Sequence, residues 1–319
     1  MGKGAWGLVC PLLLTFGCVG GWAQVSVQPR IAPGAPRAVL PNLRVNTNLV
    51  LVPVSVTDAS NRPILGLAKS SFHIFDNNVE QPVVSLVYED APVGIAVVFD
   101  TSGSMNRKMP KARVALERLL ETANPEDEFC LIQFSDQARL ARSWTDDPAE
   151  ITRSLAGASP HGRTALLDAT ALALRELKRS AKPRKAMVIL SDGGDNRSRL
   201  TERELRTMAR ESDALIYAMG IFEGRGIQLS LEELAGPGLL DDITETSGGR
   251  LFPVSDVNHL PEIAARIGVE LHNQYVLAYS PNAMQHDGRH HRVRVQVVPP
   301  VGMPALSVDW RSGYRAPIE

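Results

Sequence analysis

Gly94-Ile-Ala-Val-Val-Phe-Asp100-Thr-Ser-Gly-Ser-Met105 decides how the chain is read. A run of apolar, largely β-branched residues stops at an aspartate. Small hydroxyl residues and a glycine follow, and a helical pattern sets in from about Lys108. A run apolar on both faces predicts a strand buried on both faces, as parallel α/β sheets require. Ligands of such sheets bind beyond the carboxyl ends of the strands. Asp100, Ser102 and Ser104 therefore stand where an open α/β sheet does its chemistry.

Outward from this stretch, apolar runs alternate with helix-period segments as far as about Asn273. Strands are expected at Ile95–Phe99, Phe129–Phe134, Ala186–Leu190, Leu215–Ile221 and Arg250–Val254, with a short antiparallel edge strand at Ala138–Arg142. Helices are expected at Met109–Thr122, Pro148–Leu155, Ala165–Arg179, Glu202–Ser212, Ser230–Leu234 and Leu260–Leu271. Such alternation implies right-handed crossovers and helices on both faces of a mainly parallel, doubly wound, Rossmann-like sheet. Thr201 with Glu204 fits a capping box at the start of one helix.

On either side the apolar period becomes two. Val45–Thr57, Phe72–Phe75 and Val83–Tyr88 read as strands before the α/β core, with Asp76-Asn-Asn78 as the turn between the latter two. Pro53 argues for an edge position or a bulge in the first. Gln274–Tyr279, Arg292–Val298 and Ala305–Trp310 read as strands after the core. Together they predict a β-sandwich built from both flanks, with the core inserted in it. The expected divisions are a segment 1–23, a Pro-rich linker 24–42, an N-terminal β segment 43–91, the α/β core 92–273 and a C-terminal β segment 274–319 packing with 43–91.

The chain has 319 residues, 44% hydrophobic and 22% charged, with a formal net charge of −1. That balance gives no sign of a nucleic-acid-binding surface, so partner choice must come from a local site. Lys3, the apolar stretch Leu8–Val19 and the small residues of Gly21-Trp22-Ala23 read as a secretory signal peptide, too short for a membrane span. The protein is expected in the periplasm or outside the cell; lipoprotein anchoring through Cys18 is the weaker reading. Cys10 and Cys18 would leave with the signal, and Cys130, in an apolar run, is expected to be a buried thiol. No later stretch is apolar and long enough to cross a bilayer.

Two further strand-end loops carry matching oxygens. Gly162-Arg-Thr164 opens one helix, and Ser191-Asp-Gly-Gly-Asp195 follows a strand. Asp100, Ser102, Ser104, Thr164 and Asp192 are expected to meet at one end of the sheet. Five oxygen donors with two carboxylates and no sulfur or imidazole favour a hard cation, Mg²⁺ first and Mn²⁺ or Ca²⁺ next.

This set resembles the von Willebrand factor type A (VWA) domain and its metal-ion-dependent adhesion site, whose order Asp-x-Ser-x-Ser, Thr, Asp is met by Asp100, Ser102, Ser104, Thr164 and Asp192. The resemblance covers about residues 92–273. The flanks, VPVSVTDASNRPILGLAKSSFHIFDNNVEQPV and QYVLAYSPN…HRVRVQV…WRSGYRAP, are similar to a VWA-related family of exported proteins found mainly in acidobacterial genomes. The resemblance implies that the serines hold the metal directly and that the threonine and aspartates do so directly or through water. It also implies that an acidic side chain of a partner protein or peptide completes the octahedron, and that the last helix, here Leu260–Leu271, moves with occupancy.

Asp100 and Ser102–Ser104 also suit a helix N-cap. Phosphate or nucleotide binding is opposed by the two carboxylates and by the lack of a Gly-x-Gly-x-x-Gly or Gly-Lys-Ser/Thr loop. A hydrolase using Ser102 or Ser104 with His161 lacks a nucleophile elbow, so no enzyme is expected. A structural module of the envelope, in which metal only locks the loops, is the remaining alternative. Asp195 reads as a solvated loop residue; His286, His290 and His291 as a polar hairpin loop; Lys178, Arg179, Lys182, Arg184 and Lys185 as a solvated helix end; and Trp144 and Trp310 as packing at an edge or junction.

Overall fold

The computed structural model describes residues 49–60, 62–89, 91–222, 231–281, 288–300 and 302–316. The segments 1–23 and 24–42, the residues of the first expected strand before Leu49, Asn61, Ser230 and His286 lie outside the described residues.

The quoted stretch forms β5 (Val93–Asp100), buried along its whole length. It lies inside a six-stranded sheet with β6 (Glu128–Phe134), β7 (Ala138–Thr145), β8 (Arg184–Ser191), β9 (Leu215–Ile221) and β10 (Leu251–Val254). The order is β10-β9-β8-β5-β6-β7, parallel except for β7, which runs antiparallel on the β6 edge. Its alternating side chains explain why both faces of β5 are apolar. Ile95, Val97 and Phe99 join a core with α1 (Met109–Leu120), α2 (Pro148–Ala156) and α6 (Leu260–His272). Ala96 and Val98 face the opposite core, built with α3 (Leu166–Leu177), α4 (Glu202–Glu211) and α5 (Leu231–Ser247). From β5 the chain passes to β6 on one side and later to β8 on the other, so the crevice of the sheet opens at the end of β5. The capping box of α4 is formed as expected, with Thr201 and Glu204 each bonding the other's backbone.

The remaining strands make two antiparallel four-stranded sheets that share one core. One is ordered β13-β1-β11-β4, from β1 (Val50–Thr57), β4 (Val83–Glu89), β11 (Gln274–Tyr279) and β13 (Ser307–Trp310). The other is ordered β14-β12-β2-β3, from β2 (Phe72–Asp76), β3 (Val79–Gln81), β12 (His290–Val297) and β14 (Gly313–Arg315). Each mixes strands from before and after the α/β core. Asn77 and Asn78 both take positive φ, 47° and 68°, the two-residue turn that matches strand twist. That turn leads to the short β3, and only then does the chain enter β4 in the other sheet.

β1 is an interior strand, but Pro53 lies where β1 is paired only with β11; the β13 pairing covers Val54–Thr57. Pro53 thus still sits beside an unpaired stretch, for want of an N–H. α5 runs through Gly236-Pro237-Gly238, a triplet that reads as a breaker. His291 is buried in β12, its Nδ1 3.0 Å from Asp76 Oδ1, and is no loop residue. Asp76 also accepts from Tyr279 (3.0 Å) and Tyr314 (3.1 Å), which removes any need for a metal to explain the histidine. Arg184 donates to Leu271 O and Gln274 Oε1, both at 2.6 Å, tying the start of β8 to the end of α6 instead of facing water.

Candidate metal centre

β5 ends at Asp100, in register with Phe134 of β6. Thr101 then donates from both its N–H and its hydroxyl to Phe134 O, each at 2.8 Å, pinning the turn to the sheet. Ser102 N–H folds back onto Asp100 Oδ1 at 2.8 Å, and Ser102 Oγ lies 3.0 Å from Ser104 Oγ. Buried Met105 plugs the one-turn helix Gly103–Met105 into the core, and Lys108 N–H bonds its carbonyl at 2.9 Å, delivering the chain to α1.

The other two loops are sewn to this one. Ser191, last residue of β8, donates from its hydroxyl to Asp100 Oδ2 at 2.6 Å, so Asp192 follows directly beside Asp100. Gly103 N–H donates to Gly162 O at 3.1 Å. Thr164 O accepts from the N–H groups of Asn196 (3.0 Å) and Arg197 (3.1 Å), while Thr164 N–H donates to Asn196 Oδ1 at 3.0 Å. Asp100, Ser102, Ser104, Thr164 and Asp192 therefore stand on three loops that hydrogen-bond to one another. Asp195 is not a solvated loop residue: it accepts from Leu167 N–H at 2.9 Å and from Ser198 Oγ at 2.6 Å, capping α3.

Electrostatically the pocket is crowded with negative charge. Asp100 is fully buried, and burial, followed by the neighbouring Asp192, pushes its carboxyl up to about 7 despite the bonds from Ser102 and Ser191. Asp192 is paired with Lys108 Nζ at 2.9 Å. Among the described residues no three His, Cys, Asp or Glu side chains gather as a metal set, so any ion held here depends on the hydroxyls. Two carboxylates with hydroxyl donors suit a hard divalent cation, and one ammonium, that of Lys108, already sits on one of the carboxylates. Ser102, Asp192 and Thr164 are buried and Ser104 is exposed, so the set opens to solvent on the Ser104 side. Beside it lies a cavity of about 480 Å³ lined by Thr101, Ser135, Asp136, Arg139, Ser159 and His161.

His161 does not serve the motif serines. Its Nδ1 is 2.8 Å from Ser159 O and its Nε2 3.5 Å from Ser135 Oγ. Cys130 is fully buried, and burial drives its thiol well above the ordinary range, as suits an inert core residue. Sequence reasoning missed Lys108 and Ser191. A lysine ahead of a helix and a serine ending a strand carry no local signal; only the meeting of β5 and β8 gives them partners.

Residues 95–194 match the von Willebrand factor type A domain profile. The inter-alpha-trypsin inhibitor heavy chain H4 of Homo sapiens is 29% identical over 178 residues, which are 50% of this chain and 19% of that protein. The chain thus spans about a fifth of the curated relative it matches. A solved von Willebrand factor type A structure from Catenulispora acidiphila superposes with a TM-score of 0.50 at 15% identity, covering 77% of this chain and 72% of that one. That is a likeness of fold, and it agrees with the six-stranded, mainly parallel sheet. Domains of this type commonly serve as protein-interaction modules.

Proposed function

We propose that the type A core of this chain binds a protein or peptide partner through a divalent cation, Mg²⁺ or alternatively Mn²⁺ or Ca²⁺, held by Asp100, Ser102, Ser104, Thr164 and Asp192. A partner Asp or Glu side chain would complete the coordination. The observation that carries this reading is the buried Asp100–Asp192 pair with its serine hydroxyls, open to solvent at Ser104. When bound, the cation supplies charge neutralisation and a Lewis-acidic position for a carboxylate. The chain's own part is to hold the donors: Ser191 and Ser102 N–H orient Asp100, and the Gly103–Gly162 bond keeps the first two loops in register.

The three loops are already joined by backbone hydrogen bonds, which argues against a metal whose sole task is to lock them. The orientation of His161 toward Ser159 and Ser135 supports a binding role over hydrolysis at Ser102 or Ser104. Residues 1–23, read as an export signal, would place the protein in the periplasm or outside the cell. Among the described residues no helix is long and apolar enough to cross a membrane. Titrating Mg²⁺ into the wild-type protein and into Asp100→Ala while following thermal unfolding tests the proposal. Mg²⁺-dependent stabilisation is expected for the wild type alone; equal stabilisation of both overturns it.

A further inference from the structure

Lys108 is the one cationic side chain bonded to the carboxylate pair among the described residues. Its Nζ lies 2.9 Å from Asp192 Oδ2, with 12% of the lysine side chain and 5% of the aspartate exposed. The position is built. Lys108 N–H bonds Met105 O, and Lys108 O receives Ala112 N–H at 3.0 Å in the first turn of α1, so the backbone that carries the side chain is fixed. Neighbouring cations behave differently: Arg107, Lys111, Arg163 and Arg197 are exposed, and none makes an ion pair among the described residues.

We propose that Lys108 is a built-in competitor of the divalent cation for Asp192, setting how tightly the site holds metal. The inference rests on the metal-binding reading above. A divalent ion drawn to Asp100 and Asp192 enters the field of an ammonium already bonded to one of them, and like charges that close in a partly desolvated pocket repel strongly. An ion that takes Asp192 Oδ2 therefore displaces Lys108 from it, and one held at Oδ1 still meets the ammonium's repulsion. The freed ammonium then stands at the mouth of the site, where it adds an attraction for an incoming anionic group. Lys108 so links metal occupancy to a change in the charge presented to a partner.

Isothermal titration of the full chain with Mg²⁺ alone, and separately with Mn²⁺ alone, tests this. Lys108→Gln keeps a hydrogen-bond donor for Asp192 and removes the charge, and is expected to tighten metal binding about tenfold or more. Lys108→Arg, which keeps the charge, is expected to stay nearer the wild type. Circular dichroism melts in chelator check that each variant folds, and Lys108→Gln is expected to melt lower there and to gain more from Mg²⁺. A wild type that binds weakly or not at all beside a Lys108→Gln that binds supports the proposal. If the wild type binds and Lys108→Gln binds equally or more weakly, the competitor role is overturned while the metal site stands. No binding by either protein overturns both.

Discussion

Gly193 and Gly236 meet backbone against backbone: a Cβ added to either would lie 2.8 Å from the carbonyl carbon of the other. The contact seats the Asp192 loop directly on α5, and it explains why position 236 of that helix is a glycine. Gly236→Ala raises helix propensity by about 1 kcal/mol, yet forced overpacking costs about 1–3 kcal/mol. A net loss of stability and weakened Mg²⁺ binding are expected. Gly238→Ala, in the same helix with nothing within 4 Å of where its Cβ would stand, should instead gain up to about 1 kcal/mol. Urea denaturation of the two variants checks the contrast; equal behaviour would rule out the close approach as its cause.

Asp100 gives a pH dependence of unusual sign. Its folded carboxyl is raised by burial and by Asp192, so between the ordinary carboxylate range and about 7 the folded state binds more protons than the unfolded one. Stability therefore falls as pH rises through that window. In chelator, Asp100→Asn should lose less stability than the wild type across that same window, and saturating Mg²⁺ should flatten the wild-type profile. Thermal melts across pH, with and without Mg²⁺, read both effects.

Asp127 titrates the other way. Burial alone would raise it, but hydrogen bonds from His272 and from the N–H groups of Val93 and Asn124 outweigh that and hold it below the ordinary range. Such a carboxylate stabilises the fold above its unfolded value and loses that contribution as pH falls through the folded one. Asp127→Asn is expected to cost about 3 kcal/mol at neutral pH. The deficit should shrink on acidification, as measured by denaturant midpoints at neutral pH and at about pH 3.

Arg250 stands between two acids, bonded to the buried Glu270 and 3.5 Å from the half-buried Asp309, while Tyr217 donates to Glu270 at 3.1 Å. Burial raises both carboxyls, and Arg250 opposes the rise. Arg250→Met leaves uncompensated buried charge and is expected to cost about 3–5 kcal/mol. The double variant Arg250→Met with Glu270→Gln should cost less than Arg250→Met by itself. Additive losses in a double-mutant cycle would show that the residues act independently.

The parts legible in the sequence are those written locally. β5 announces itself because Ile95, Val97 and Phe99 serve one core while Ala96 and Val98 serve the other. The loop residues Asp100, Ser102, Ser104, Thr164 and Asp192 can be named because each follows a strand or opens a helix. What escapes depends on partners remote in the chain. Lys108 finds Asp192, His291 finds Asp76, and Arg184 finds Gln274 only after the sheets close. Propensity alone ends α5 at Leu234, ahead of Gly236-Pro237-Gly238, whereas in the fold the helix runs on and Gly236 admits the Asp192 loop.

The pairing of β4 with β11 has a kinetic consequence. Glu89, where the chain leaves for the α/β core, lies opposite Gln274, where it returns. Until the core folds, closing that ladder carries the entropy of a very long loop. A folded core brings the two ends together beforehand and removes most of that cost. The β4–β11 ladder is therefore expected to close after the six-stranded sheet has formed.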